Sequence, residues 1–257
     1  MENAKIYLYD GSFNGFLTAI FVAFARNEAV VDFRPDNGCQ NTLFLETETI
    51  LTHLEYAKRV WNGIEAKSAV AVRQVYFSFL SEHSGIEQML YRYIRNLFHN
   101  GSESLAIPCD HIDMKISQLA NQVAKEKGKL EANLKFEASF DNIQYSLIAP
   151  NFNVLPLLSK HFRFRFPEQE WIIFDYKRKY GLHSNGKSNE FINLQLKAFE
   201  TERFFVAGNS PETNADLKEY WKTALKGLPL KSKIVPFVFP RIGSNAKSDF
   251  FGTRKAV

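Results

Sequence analysis

Apolar positions change period several times along the chain, and each change predicts an element. Lys5-Ile-Tyr-Leu-Tyr9 reads as a short strand, broken by Asp10-Gly11. Ser12 then suits a helix N-cap, because its hydroxyl can accept a first-turn N–H. Phe13, Phe16, Leu17, Ile20 and Phe24 follow at helical spacing. Ala19, Phe21, Val22 and Ala23 add apolar surface elsewhere, which predicts a helix buried on more than one side. Two strand-like runs follow, Val30–Phe33 and Leu43–Leu45, separated by the turn-rich Pro35-Asp36-Asn37-Gly38.

Residues 50–127 carry four helical stripes: Leu51/Leu54/Ala57/Trp61/Ile64, Val72/Val75/Tyr76/Phe79/Leu80, Ile86/Leu90/Tyr93/Leu97 and Ile112/Ile116/Leu119/Val123. The third is expected to stop at Asn100-Gly101 and the fourth near Gly128. The period then becomes two. Phe136, Ala138 and Phe140 alternate with polar residues, as do Ile143, Tyr145 and Leu147 beyond Asp141-Asn142. A two-residue turn would pair Ala138 with Tyr145 and put all six on one face. Leu155-Pro156-Leu157-Leu158 opens a short helix to about Phe162. Strands are expected at Trp171–Tyr176, Lys179–His183 and Phe191–Phe199, with a turn at Asn185-Gly186. Asn214 or Asp216 caps a last expected helix, Leu217–Lys226. The pattern predicts one α+β domain over residues 1–226, helical in 50–127 and mainly antiparallel in 130–207. A basic extension, 227–257, follows.

Composition sharpens this in three places. Among 257 residues, 45% are hydrophobic and 23% charged, which argues against a disordered or fibrous chain. Cys39 and Cys109 stand alone, so neither a disulfide scaffold nor a zinc knuckle is expected. No run of ~18 apolar residues occurs, and the start lacks a signal-peptide pattern; no membrane association and a cytoplasmic location are the expectation. The net charge of +4 is unevenly placed: residues 218–257 hold nine Lys/Arg and two acids, the rest 23 basic and 26 acidic residues. The terminus is therefore +7 and the body −3, and a polyanion becomes a plausible partner for the terminus. Most of the 24 Phe are expected in the core.

Candidate chemistry is sparse, and each case has a bland alternative. Gly11 and Ser12 could offer free helix N–H groups to an anion. Asp10 opposes this by its own charge, and a simply capped helix explains the same residues. Lys160-His-Phe-Arg-Phe-Arg-Phe166 interleaves bases and rings. If extended, it would set His161, Arg163 and Arg165 against a phosphate backbone, with Phe162, Phe164 and Phe166 in the core. A solvated face over a buried Phe row is the alternative. Arg92, Arg95 and His99 could grip phosphates from a helix, or merely face water. Asp175, with Arg178 or His161, is the best acid/base candidate, or else a structural ion pair. The remaining histidines lack ligand spacing, so no metal is expected, nor any other cofactor. Lys177, Arg178, Lys231, Lys233 and Arg241 complete the nucleic-acid-binding candidates; Phe237, Phe239, Phe250 and Phe251 would allow stacking on exposed bases in the tail.

Two segments carry a resemblance: Tyr9-Asp-Gly-Ser-Phe13 with Gly15-Phe-Leu-Thr-Ala19, and Leu155-Pro-Leu-Leu158, His161-Phe162, Arg165-Phe166, Trp171-Ile-Ile173, Asp175 and Arg178. Lys58-Arg-Val-Trp61 and Phe79-Leu-Ser-Glu82 fit as well. Over residues 5–226 the chain resembles a bacterial family labelled "probable DNA metabolism protein". The resemblance implies a radical-SAM partner of DNA modification or repair encoded alongside. Some similar chains are fused to a uracil-DNA-glycosylase-like domain. This chain departs from the family at Glu126-Lys-Gly-Lys129, which lacks a His, at Lys135 in place of Arg, and in its terminus. Three functions follow as expectations. The first is a DNA-metabolism accessory protein that binds DNA or a DNA-bound partner. The second is a nucleotide- or nucleobase-processing enzyme with Asp10, His161 and Asp175 in one site. The third is a purely structural partner subunit.

Overall fold

Ile6, Tyr7 and Tyr9 are all buried, which suits β1 (Lys5–Tyr9) to the middle of a sheet covered on both faces. The computed structural model describes residues 5–28, 30–36, 46–99, 110–138 and 144–193. These fall into two compact units divided after Ala124. In the first, β1 pairs in parallel with β2 (Val30–Pro35) on one side and β3 (Glu46–Thr49) on the other. Helix α1 (Phe13–Arg26) links β1 to β2. Ser12 caps it as expected, accepting from the Gly15 N–H at 2.9 Å. Asn27 ends it in the left-handed conformation, a role that Asn tolerates.

Helices α2 (Leu54–Lys67), α3 (Ala69–Phe79) and α4 (Ile86–His99) pack around α1 and β2. Their shared core is aromatic: Phe13 meets Trp61, Tyr76 and Phe79 with ring centroids 5.0–5.5 Å apart. Two expected stripes are rotated. Leu51 and Leu54 are 84% and 43% exposed, because α2 begins only at Leu54 and buries Ala57, Val60, Trp61 and Ile64. On α4 the fully buried set is Ile86, Leu90, Tyr91 and Ile94, so Tyr93 and Leu97 are only partly covered. At the first turn of α4 the Tyr9 hydroxyl donates to Glu87 at 3.1 Å.

Helix α5 (Asp110–Asn133) begins in the first unit and ends in the second. It runs straight past Gly128, the expected stop. A β-carbon there would meet nothing within 4 Å, so nothing steric bars the helix and only propensity opposes it. The second unit holds a five-stranded sheet in the order β4-β5-β6-β7-β8: Glu137–Ala138, Gln144–Ile148, Glu170–Asp175, Tyr180–Asn185 and Asn189–Asn193. Three of its four pairings are antiparallel and β5–β6 is parallel, bridged by helix α6 (Leu155–Arg165). The fold is α+β, and the expectation of a mainly antiparallel sheet in 130–207 holds in part, the parallel β5–β6 pair being the exception.

The expected hairpin exists with its register slipped by one. Glu137 faces Tyr145 and Ala138 faces Gln144, and the Tyr145 hydroxyl donates to the Glu137 carboxylate at 3.1 Å. A slip of one residue exchanges faces, so Ala138 does not pair with Tyr145. The turn at Asp141-Asn142, the Leu43–Leu45 run, residues beyond Asn193 and both cysteines lie outside the described residues. No helix among those described is long and apolar enough to cross a membrane.

Two outcomes follow. Gly128→Ala should raise unfolding stability by about 0.4–1 kcal/mol, read from chemical denaturation. Burial, only partly offset by the hydrogen bond from Tyr9, holds the Glu87 carboxyl above its ordinary range. Its contribution to stability is therefore full below the unfolded carboxylate pKa and is lost as pH rises through the raised folded value. Glu87→Gln, which keeps an oxygen for Tyr9, should flatten the decline in melting temperature between pH 4 and pH 8.

Candidate functional site

Helix α6 explains where the candidate residues of the second unit point. Pro156 lies in its first turn, where a missing N–H is harmless. Leu155, Leu158 and Phe162 follow at i, i+3 and i+7, and all three are fully buried. They join a core with Ile148, Trp171, Ile173 and Leu182. Phe136 packs on Phe162, Phe166 and Trp171 at centroid distances of 5.6, 5.2 and 6.2 Å.

The extended reading of residues 160–166 is therefore corrected. The helix continues to Arg165, and residues two apart no longer share a face. Phe162 is in the core, Phe166 is partly buried, and Phe164 is 74% exposed. His161, Arg163 and Arg165 do not form one row. His161 and Arg165 are one turn apart and both meet Glu131 of α5. The His161 Nδ1 is 3.6 Å from the Glu131 carboxylate, and an Arg165 Nη1 donates to the Glu131 carbonyl at 3.4 Å. Lys127 completes this group, 2.6 Å from the same carboxylate. Lys160, Arg163 and Phe164, at i, i+3 and i+4, form a different face, and all three are exposed. Neither Lys160 nor Arg163 has a hydrogen-bond or ion-pair partner among the described residues.

Asp175 ends β6 and is fully buried. One oxygen accepts the N–H groups of Lys177 and Arg178 at 2.9 and 3.2 Å. The other accepts from the Arg178 guanidinium at 3.0 Å. Arg178 also donates to the carbonyls of Pro150 and Asn151 at 3.3 and 3.1 Å. Lys177, exposed, reaches the Asn151 side chain at 3.3 Å. From the far side, Glu126 of α5 accepts the N–H groups of Asn151 and Phe152 at 2.8 and 2.9 Å. These contacts clamp the loop that leads into α6. Burial raises the Asp175 carboxyl above its ordinary range, against the pull of Arg178. The arrangement is an ion pair in which both carboxylate oxygens accept from protein groups. No hydrogen bond or ion pair joins His161 to Asp175 among the described residues.

Asp10 belongs to the first unit, at the carboxyl end of β1. Gly11 turns the chain at φ +77°, a conformation that glycine adopts without strain. The Asp10 carboxylate accepts the Ser12 N–H at 2.9 Å, the Ser12 hydroxyl at 2.6 Å and the Thr52 hydroxyl at 2.8 Å. It occupies the space over Gly15, where a β-carbon would lie 2.1 Å from it. The start of α1 thus already faces a carboxylate, and Gly11 and Ser12 serve a capped turn. Arg92 and Arg95 are exposed on α4, and His99 bonds the Arg95 carbonyl at 2.8 Å. Lys231, Lys233, Arg241 and the tail rings lie outside the described residues. No group of three or more His, Cys, Asp or Glu suited to a metal occurs among the described residues.

Sequence reasoning placed Phe164 in the core, and it missed Glu126, Glu131 and Thr52 as partners. The i, i+3, i+7 spacing of Leu155, Leu158 and Phe162 was the signal that could have exposed Phe164. The other three act across long sequence separations and leave no local pattern.

Arg178→Leu should destabilise the protein by about 3–5 kcal/mol near neutral pH, because it strands a buried carboxylate. Part of that loss should return at pH 4, where Asp175 can take a proton. Parallel urea titrations of both proteins at the two pH values read this difference.

A comparison with curated proteins found no match. A family model described as DUF4130, a domain of unknown function, matches residues 84–235. The match covers more than half of the chain, including α4, α5, α6 and the whole five-stranded sheet. The chain therefore belongs to this family of unknown function.

Proposed function

We propose that the chain is an accessory protein of DNA metabolism that holds DNA on the cationic surface of its second unit, while a radical-SAM partner carries out the chemistry. The observation that supports this reading is an asymmetry in how that unit uses its charges. Glu126, Glu131, Glu137, Glu170, Asp175 and Glu190 accept hydrogen bonds or ion pairs from protein groups, and among the described acids of the unit the exposed Glu168 is the exception. Lys160 and Arg163 face solvent with no such partner among the described residues, and Lys177 is held by an uncharged one, Asn151, in the loop before the same helix. Cations left unneutralised in this way attract a phosphate backbone and release its counterions. Cations in the last turn of a helix also favour its dipole, which accounts for both Arg163 and Arg165 without a ligand. Lys160, earlier in the helix, is not explained that way.

The reading predicts binding of a fluorescent oligodeoxynucleotide that weakens steeply with salt. Neutralising Lys160→Gln and Arg163→Gln should reduce the slope of log K against log salt by roughly 0.7 per cation for a single strand. Binding that is absent, or indifferent to salt and to both substitutions, would overturn the proposal.

A further inference from the structure

We infer that Phe164 is a stacking platform for an unpaired base, so that the α6 face takes single-stranded DNA or DNA with an extruded base in preference to an intact duplex. The inference rests on the nucleic-acid reading above and adds to it the class of strand recognised.

Two exposed large apolar side chains among the described residues carry rings, Phe164 at 74% and Tyr56 at 36%. Tyr56 is already stacked, on Phe21 at 4.4 Å and on His53 at 4.1 Å. Phe164 makes no ring contact among the described residues. Phe has no polar atom to satisfy, so its exposure brings the fold no hydrogen bond and no buried area.

The position of the ring argues for a nucleic acid over a protein anchor. At about 100° per residue along the helix, Lys160 and Phe164 point directly away from the buried Leu155, Leu158 and Phe162, with Arg163 beside them. An apolar protein patch wide enough to cover this ring would also have to cover two cations beside it and supply them no charge. A single strand meets both needs, because its phosphates pair with Lys160 and Arg163 and its bases offer π faces to the ring. In an intact duplex the faces of the bases are covered by their neighbours, so a surface ring gains nothing from them. The match between one ring and two cations one turn apart is the arrangement of a stacking contact with its backbone grip.

The test uses the full chain and two fluorescent probes of equal length, a single-stranded oligodeoxynucleotide and its blunt duplex. Phe164→Ala is expected to weaken single-strand binding by about 5- to 100-fold and to leave duplex binding unchanged. Phe164→Trp should retain or strengthen single-strand binding. A thermal melt of each variant should match the parent, since the ring is 74% exposed. If Phe164→Ala leaves single-strand affinity unchanged while salt-dependent binding persists, this inference fails and the accessory-protein reading stands. Equal losses on both probes would also overturn it, because the ring would then be a general contact. If the parent binds neither probe, both readings fall together.

Discussion

Burial of Leu155, Leu158 and Phe162 against Trp171 and Ile173 fixes the rotation of α6, and the character of the second unit's surface follows from it. Burying a Phe or Leu side chain is worth about 1.5–3 kcal/mol, and all three are fully buried. Turning the helix to hide Phe164 would expose Phe162 and break its contact with Phe136. The core therefore dictates that Lys160, Arg163 and Phe164 face outward together. No feature of those three residues alone would hold them there.

The ends of α6 are fixed by different physics. Its entry loop is held by charged groups: Glu126 takes two backbone N–H groups, and Arg178 holds two carbonyls while pairing with Asp175. The burial that raises Asp175 means that this pair contributes less to net stability than its geometry suggests. An apolar pair could fill the volume but could not accept the N–H groups of Lys177 and Arg178 or tie down Pro150 and Asn151. At the other end, Glu131 gathers Lys127, His161 and Arg165. The helix is thus anchored at both ends, and Lys160, Arg163 and Phe164 have no side-chain hydrogen-bond, ion-pair or ring partner among the described residues.

Much of the fold was legible in the residues. The strand–cap–helix start, the four helices and β4 to β7 follow from periodicity and turn chemistry, and of the expected strand Phe191–Phe199 only its start lies among the described residues. Errors arose where two periods fit one segment. Residues 160–166 alternate like a strand, and only the preceding Leu155/Leu158 spacing shows that the helix has not ended. The parallel β5–β6 pair is the same error seen at the level of topology, since a helix spanning 155–165 is what a parallel crossover requires. Gly128 looked like a stop because its propensity was read without its surroundings, which are open. The hairpin slipped by one because a turn dipeptide does not fix register by itself. Asp10 and Asp175 were legible as important, and their partners were not. Thr52 lies 42 residues from Asp10, and no local pattern announces a contact of that kind.

Photo-crosslinking tests the central claim most directly, namely that the α6 stripe holds an unpaired base. A single-stranded oligodeoxynucleotide carrying 5-iodouracil would be irradiated in complex with the full chain, and the adduct located by peptide mass spectrometry. The account predicts an adduct on the peptide containing Phe164, lost in Phe164→Ala and suppressed by high salt. Adducts confined to other segments, or an adduct yield unaffected by salt, would contradict it.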